Sequence, residues 1–127
     1  MPNNKKILIL EDDTALVKAL SQALEKEGYA VLSALDGDAG FKLIEEEKPD
    51  LIILDIILPR KSGHEVMQEI SKREELKQIP VVVLTNLESS QDVDKMMRLG
   101  AKCYLIKSDH SLEEVVEKVK ESLTPHK

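Results

Sequence analysis

The chain predicts an α/β fold, a doubly wound parallel sheet of five strands with helices on both faces, and three observations carry that expectation. Five short apolar, β-branched runs alternate with five amphipathic stretches, the pattern of βα units feeding a parallel sheet. The length, 127 residues, suits about one domain with room for a real core. The third observation is chemical: Asp12, Asp55, Thr85 and Lys107 each sit where an apolar run stops. In an open parallel sheet all strands point one way, so the residues at their carboxyl ends converge on one rim, where such folds build their ligand sites.

The first strand is Ile7-Leu8-Ile9-Leu10. Thr14 opens a helix in which Leu16, Ala19, Leu20, Ala23 and Leu24 recur at helical spacing until Gly28 stops it. Tyr29 to Ala34 is the second strand. Asp36-Gly37-Asp38 supplies a turn and helix start, Phe41, Leu43 and Ile44 mark the second helix's inner side, and Lys48-Pro49-Asp50 ends it. Leu51 to Leu54 is a continuous apolar block, as expected of a central strand covered on both faces.

The loop Leu58 to Gly63 leads into a third helix carrying Val66, Met67 and Ile70. Ile79-Pro80 enters the fourth strand, Val81 to Leu84. Ser89 to Leu99 then forms a helix with Val93, Met96 and Met97, stopped at Gly100-Ala101. Cys103 to Ile106 is the fifth strand. Ser111 reads as the cap of the last helix, with Glu114 at the capping-box position and Leu112, Val115, Val116 and Val119 on the inner face.

Composition narrows the function. With 42% hydrophobic and 33% charged residues the chain reads as globular, and its net charge of −6 gives no basic footprint for direct nucleic-acid binding. No apolar stretch approaches the roughly 18 residues of a membrane span, and the start, Met1 to Lys6, has no signal-peptide character, so a cytoplasmic location is expected. Cys103 is expected to be a small buried hydrophobe with no disulfide partner. His64, His110 and His126 lack metal-ligand spacing and read as loop or surface residues. No repeat or linker interrupts the sequence. The expectation is a single domain over residues 1–127 with an ordered core of about 5–123, compatible with a free-standing protein and with a portion of a longer chain.

Glu11-Asp12-Asp13 places three acids in a row after the first strand, where like charges repel unless a cation or solvent absorbs them. Oxygen-rich carboxylate sites suit Mg²⁺ or Mn²⁺. An acid at a strand end also serves as a helix N-cap, and Asp13 or Thr14 is the expected cap here. Asp12 and Asp55 together point further, because the first and third strands flank the switch point when the strand order is 2-1-3-4-5.

Leu10-Glu11-Asp12-Asp13, Asp55-Ile56-Ile57-Leu58-Pro59 with Gly63 and Glu65, Leu84-Thr85 and Ile106-Lys107, in this order along essentially the whole chain, resemble the signature set of response-regulator receiver domains. The resemblance implies a flavodoxin-like fold and a phosphorylation-controlled switch in two-component signalling, a phosphoacceptor and not an enzyme in its own right. It implies that Asp55 takes a phosphoryl group from a phosphohistidine on a histidine kinase or a phosphotransfer protein. Glu11 and Asp12 match the acidic pair that holds Mg²⁺, Asp12 directly and Glu11 through water, with Asp55 and the backbone carbonyl of Ile57 as further ligands. Lys107 matches the lysine that pairs with the phosphoryl oxygens, and Thr85 the hydroxyl that closes on them. Tyr104 matches an aromatic switch position; an amphipathic tyrosine bridging core and solvent is the competing reading. Output is expected at the surface of helix four, strand five and helix five, by docking to a downstream protein or by forming a homodimer there.

The departures are informative. Asn86 stands after the switch threonine, where the family prefers a small residue, and Ser108 follows Lys107 where proline in a cis peptide is common. A non-proline cis bond would cost about 2.5–4 kcal/mol, so Lys107–Ser108 is not assumed to be cis. These two residues support an alternative, a pseudo-receiver interaction domain that is not phosphorylated. A more distant alternative, a Mg²⁺-dependent aspartyl-phosphate hydrolase, wants an aspartate two residues after the nucleophile, where this chain has Ile57. Ile57 and Leu87 match positions bordering the approach of water, and both are apolar, which implies a long-lived phosphoryl group.

Overall fold

The computed structural model describes residues 4–124, so His126 and the Met1-Pro2-Asn3 start lie outside the described residues. The elements follow the order β1 (Lys6–Leu10), α1 (Thr14–Lys26), β2 (Ala30–Ala34), α2 (Gly37–Glu47), β3 (Leu51–Leu54), α3 (Gly63–Ser71), β4 (Val81–Thr85), α4 (Ser90–Arg98), β5 (Cys103–Ile106) and α5 (Leu112–Leu123), with a 3-10 turn at Lys107–Asp109. All strands are parallel, in the order β2-β1-β3-β4-β5. The sheet is therefore doubly wound and flavodoxin-like, with its switch point between β1 and β3.

Side chains alternate across a strand with a period of two, and this sorts the apolar runs into two cores. Leu8, Leu10, Ile52, Leu54, Val81 and Val83 meet Phe41, Ile44, Val66, Met67, Ile70 and Met96 from α2, α3 and α4. Ile7, Ile9, Leu51, Ile53, Val82 and Leu84 meet Leu20, Leu24, Val115, Val116 and Val119 from α1 and α5. Strands covered on both faces favour apolar side chains on both, which is why β1 from Ile7, β3, and β4 as far as Leu84 read as unbroken apolar runs. The edge strand β2 is only partly buried, with Ala30 and Ser33 exposed and Val31 and Leu32 partly covered.

Helix starts follow local chemistry. Asp13 caps α1, its carboxylate accepting from the Ala15 and Leu16 N–H groups, so the acid row divides its labour: Asp13 serves the helix and Asp12 is left for other work. Asp36 and Ser89 cap α2 and α4, and full capping boxes at Ser62/Glu65 and Ser111/Glu114 open α3 and α5. Gly100 follows α4 with φ of 107°, the left-handed conformation that ends a helix most readily at glycine.

Three expectations need correction. Met97 is 42% exposed whereas Met96 is fully buried, because one residue along a helix turns the side chain about 100° away from the core face. Cys103 is only half-buried, since β5 is an edge strand with one flank uncovered. His64 is not a loop or surface residue: it lies in the first turn of α3, half-buried, with Nε2 2.8 Å from Asp92 Oδ1 on α4.

Candidate functional site

The four strand ends come together as the topology requires. The Glu11 N–H donates to the Ala34 carbonyl and the Asp55 N–H to the Leu10 carbonyl, so the ladder hydrogen bonds continue one residue past β1 and β3 and fix both acids by their backbones. One carboxylate oxygen from each of Glu11, Asp12 and Asp55 falls within 4.8 Å of the others. Glu11 and Asp55 are buried, at 3% and 4% exposure, and Asp12 is open to solvent.

Lys107, at the end of β5, reaches across β4 to this cluster. Its Nζ lies 2.6 Å from Glu11 Oε1 and 2.8 Å from Asp55 Oδ2. The remaining oxygens take backbone donors: Glu11 Oε2 accepts from the Asp13 N–H at 3.0 Å and Asp55 Oδ1 from the Ile57 N–H at 3.2 Å. Burial pushes the Glu11 carboxyl above its usual range, and the charge of Asp55 adds to this, against the opposing pull of Lys107 and the Asp13 N–H. Burial works against the Lys107 charge too, but its hydrogen bonds to Asp55 and Glu11 outweigh it and raise the ammonium above its ordinary value.

Three carboxylates against one ammonium leave the cluster short of positive charge. The donors are all oxygen and Asp12 faces solvent, which fits a hard divalent cation such as Mg²⁺ or Mn²⁺ entering from water.

Thr85 is the last residue of β4 rather than the first beyond it, and it is fully buried. Its Oγ1 accepts from the Leu87 N–H at 3.4 Å, while the Tyr104 hydroxyl donates to the Leu87 carbonyl at 2.8 Å. The two sides of Leu87 thus tie Thr85 to Tyr104. Burial, with the nearby charges of Asp92 and Asp55, pushes the Tyr104 phenol up to about 12. Asn86 is exposed beside Thr85; Leu87 leans on the core, whereas Ile57 is 57% exposed. The Lys107–Ser108 peptide is trans, and the segment turns into a 3-10 helix there.

Two relationships escaped the sequence. Lys107 pairs with Glu11 as closely as with Asp55, and His64 pairs with Asp92, which is also held by the Ser89 hydroxyl. Both join residues far apart in the chain, and no local spacing announces them.

Fold and rim together define a doubly wound α/β domain with an acidic pocket at its switch point and a lysine set across it. The family described as response regulator receiver domain matches residues 7–120, and the chain belongs to that family. Solved structures agree. The signal receiver domain of a putative LuxO repressor protein from Vibrio parahaemolyticus is 28% identical, with a TM-score of 0.85 over 95% of this chain and 91% of that one. The Mn²⁺-bound form of response regulator Rcp1 is 34% identical, with a TM-score of 0.79 over 92% of this chain and 90% of that one. The phosphorylated cyanobacterial phytochrome response regulator RcpA is 32% identical, with a TM-score of 0.80 over 94% and 91%. Among the described residues no helix is long and apolar enough to cross a membrane.

Proposed function

We propose that this receiver domain is a phosphorylation-controlled switch in which Asp55 accepts a phosphoryl group from a phosphohistidine of a histidine kinase or a phosphotransfer protein. In that step an Asp55 carboxylate oxygen attacks phosphorus, the P–N bond of the donor breaks, and the histidine leaves with the electron pair as an acyl phosphate forms. The observation that carries the reading is the convergence of buried Asp55 with Glu11, Asp12 and Lys107 at the switch point. Glu11, Asp12, Asp55 and the Ile57 backbone carbonyl would hold Mg²⁺, or Mn²⁺, the ion named for the related Rcp1 structure. When bound, the cation supplies positive charge that offsets the phosphoryl oxygens.

The chain's own residues do the rest. Lys107 offsets part of the charge of the buried acids at rest and meets the phosphoryl oxygens as a point charge after transfer. Thr85 exchanges the Leu87 N–H for the phosphoryl group, and the released Leu87 peptide alters what Tyr104 holds. That passes the signal to the surface of α4, β5 and α5, where a downstream protein or a second copy docks. The domain assists its own labelling and hydrolysis but turns over no separate substrate, and it works in the cytoplasm.

Mass spectrometry after incubation with acetyl phosphate and Mg²⁺ tests the reading. One acid-labile phosphate should appear on wild type and none on Asp55→Asn. Wild type that takes no phosphate from acetyl phosphate or from any phosphohistidine donor would leave the pseudo-receiver reading in its place.

A further inference from the structure

Asp55 is followed by the loop 56–62, which ends where the Gly63 N–H donates to the Ile56 carbonyl at 2.8 Å. The middle of this loop rests on the amino end of α2. The Gly37 N–H donates to the Pro59 carbonyl at 3.2 Å, and a Cβ added at Gly37 would stand 1.8 Å from the Lys61 carbonyl oxygen and 2.6 Å from Lys61 Cβ. Both obstacles lie on or next to backbone, so a side chain at residue 37 would displace the loop rather than bend a flexible group aside. Asp36 adds a longer contact, its Oδ2 lying 3.8 Å from Arg60 Nε.

Several features show that the loop is held and not merely resting. Arg60 has φ of 70°, the left-handed region that a side chain other than glycine's disfavours. Lys61 is fixed by an ion pair to Glu69 of α3 and lies over the Phe41 ring of α2, 5.0 Å from its centroid. At the head of the same loop the Ile57 N–H donates to Asp55 Oδ1. The other carboxylate oxygen, Oδ2, is on Lys107. The Ile57 peptide thus holds one oxygen of the Asp55 carboxylate, and α2 holds the same loop further on, at Pro59 and Lys61.

We infer that Gly37 is a positioning residue for Asp55: its missing side chain lets α2 seat the 56–62 loop so that the Ile57 N–H orients the carboxylate. The inference rests on the reading of Asp55 as the phosphoacceptor. Because the Ile57 carbonyl on this loop is among the proposed cation ligands, filling the acidic pocket should also steady the loop that the Gly37–Pro59 hydrogen bond ties to α2.

The test uses the full chain with acetyl phosphate across a range of Mg²⁺ concentrations, comparing wild type, Gly37→Ala and Ile44→Ala. Ile44 lies on the same helix and is fully buried in the core, so Ile44→Ala leaves a cavity there without pressing on the loop. Gly37→Ala should lose about tenfold or more in phosphorylation rate at saturating Mg²⁺, the scale seen when support behind a reacting group is removed. Ile44→Ala should stay near wild type even where its melting temperature falls as far. Independently of any variant's folding, hydrogen exchange of the Gly37 amide in wild type should slow when Mg²⁺ is added. A folded Gly37→Ala phosphorylated at the wild-type rate, an equal loss in Ile44→Ala, or a Gly37 amide indifferent to Mg²⁺ overturns the inference while leaving Asp55 as the acceptor. Wild type that takes no phosphate at Asp55 overturns both.

Discussion

The Lys107 ammonium lies 2.8 Å from Asp55 Oδ2 and bridges it to Glu11, so the pocket carries its own counter-ion. A lysine so placed substitutes at rest for part of the positive charge that a phosphoryl group and its cation bring later. Removing it should therefore act in opposite directions on stability and on metal binding. In Lys107→Ala, Glu11 loses its cation while staying buried, and the metal-free protein should lose stability. The loss should fall below the about 3–5 kcal/mol of a fully buried pair, because the Lys107 side chain keeps 19% of its surface in water. Mg²⁺ affinity should hold or rise, and the spectral change around Tyr104 on phosphorylation should shrink. Melting curves with and without Mg²⁺ measure the first two; a variant more stable than wild type without metal would contradict the counter-ion role.

Asp12 and Asp13 are adjacent acids with separate duties, and stability tells them apart. Asp13 accepts two N–H groups at the start of α1, so Asp13→Ala should cost about 1 kcal/mol, or about 4 °C in melting temperature. Asp12 makes no cap, and Asp12→Ala should keep or slightly raise metal-free stability by relieving repulsion with Glu11 and Asp55, while weakening Mg²⁺ binding. A clear loss of metal-free stability in Asp12→Ala would mean that it is structural instead.

Tyr104 yields a prediction in alkaline solution. A phenol whose folded pKa is raised favours the folded state fully below its ordinary value of 10.0 and loses that contribution as pH rises through about 12. The stability of wild type minus that of Tyr104→Phe should accordingly decline across this window, with absorbance of the Tyr104 phenolate appearing late in it. Denaturant titrations at stepped pH supply the difference and cancel the lysine background. A constant difference would show that the ring is not held against the Leu87 carbonyl as described.

Much of this site was legible because its chemistry is local. A strand end, a cap and an acid are each visible over four or five residues, so Asp12, Asp55, Thr85 and Lys107 could be placed on one rim once the strands were recognised. Asp13 as cap was one of two candidates, and only geometry chose between them. What stayed hidden depends on how distant segments pack. His64 looked like a surface residue because nothing near it in sequence suggests Asp92 as a partner, and Met97 looked like core because its neighbour Met96 is. Gly37 read as a turn residue; that it makes room for the Lys61 carbonyl is a fact of α2 meeting the loop after β3.

The lifetime of the phosphoryl group depends on how readily water lines up behind phosphorus, and the structure separates the two apolar residues expected to govern this. Leu87 packs against the core, so its side chain is committed, and its influence runs through the peptide that Thr85 and Tyr104 share. Ile57 is 57% exposed beside Asp55 and offers water no hydrogen bond. A polar side chain there would orient a water at a gain of about 0.5–1.5 kcal/mol, or about two- to tenfold in rate. Ile57→Asn should therefore speed decay of the phosphoryl group within that range. Leu87→Glu should add to it only by drawing its side chain out of the core, at some cost in stability. Decay is followed by loss of acid-labile phosphate in excess EDTA-free Mg²⁺ buffer after the donor is removed. If Ile57→Asn, folded and still binding Mg²⁺, decays at the wild-type rate, water access is set elsewhere on the rim, with exposed Asn86 next in line.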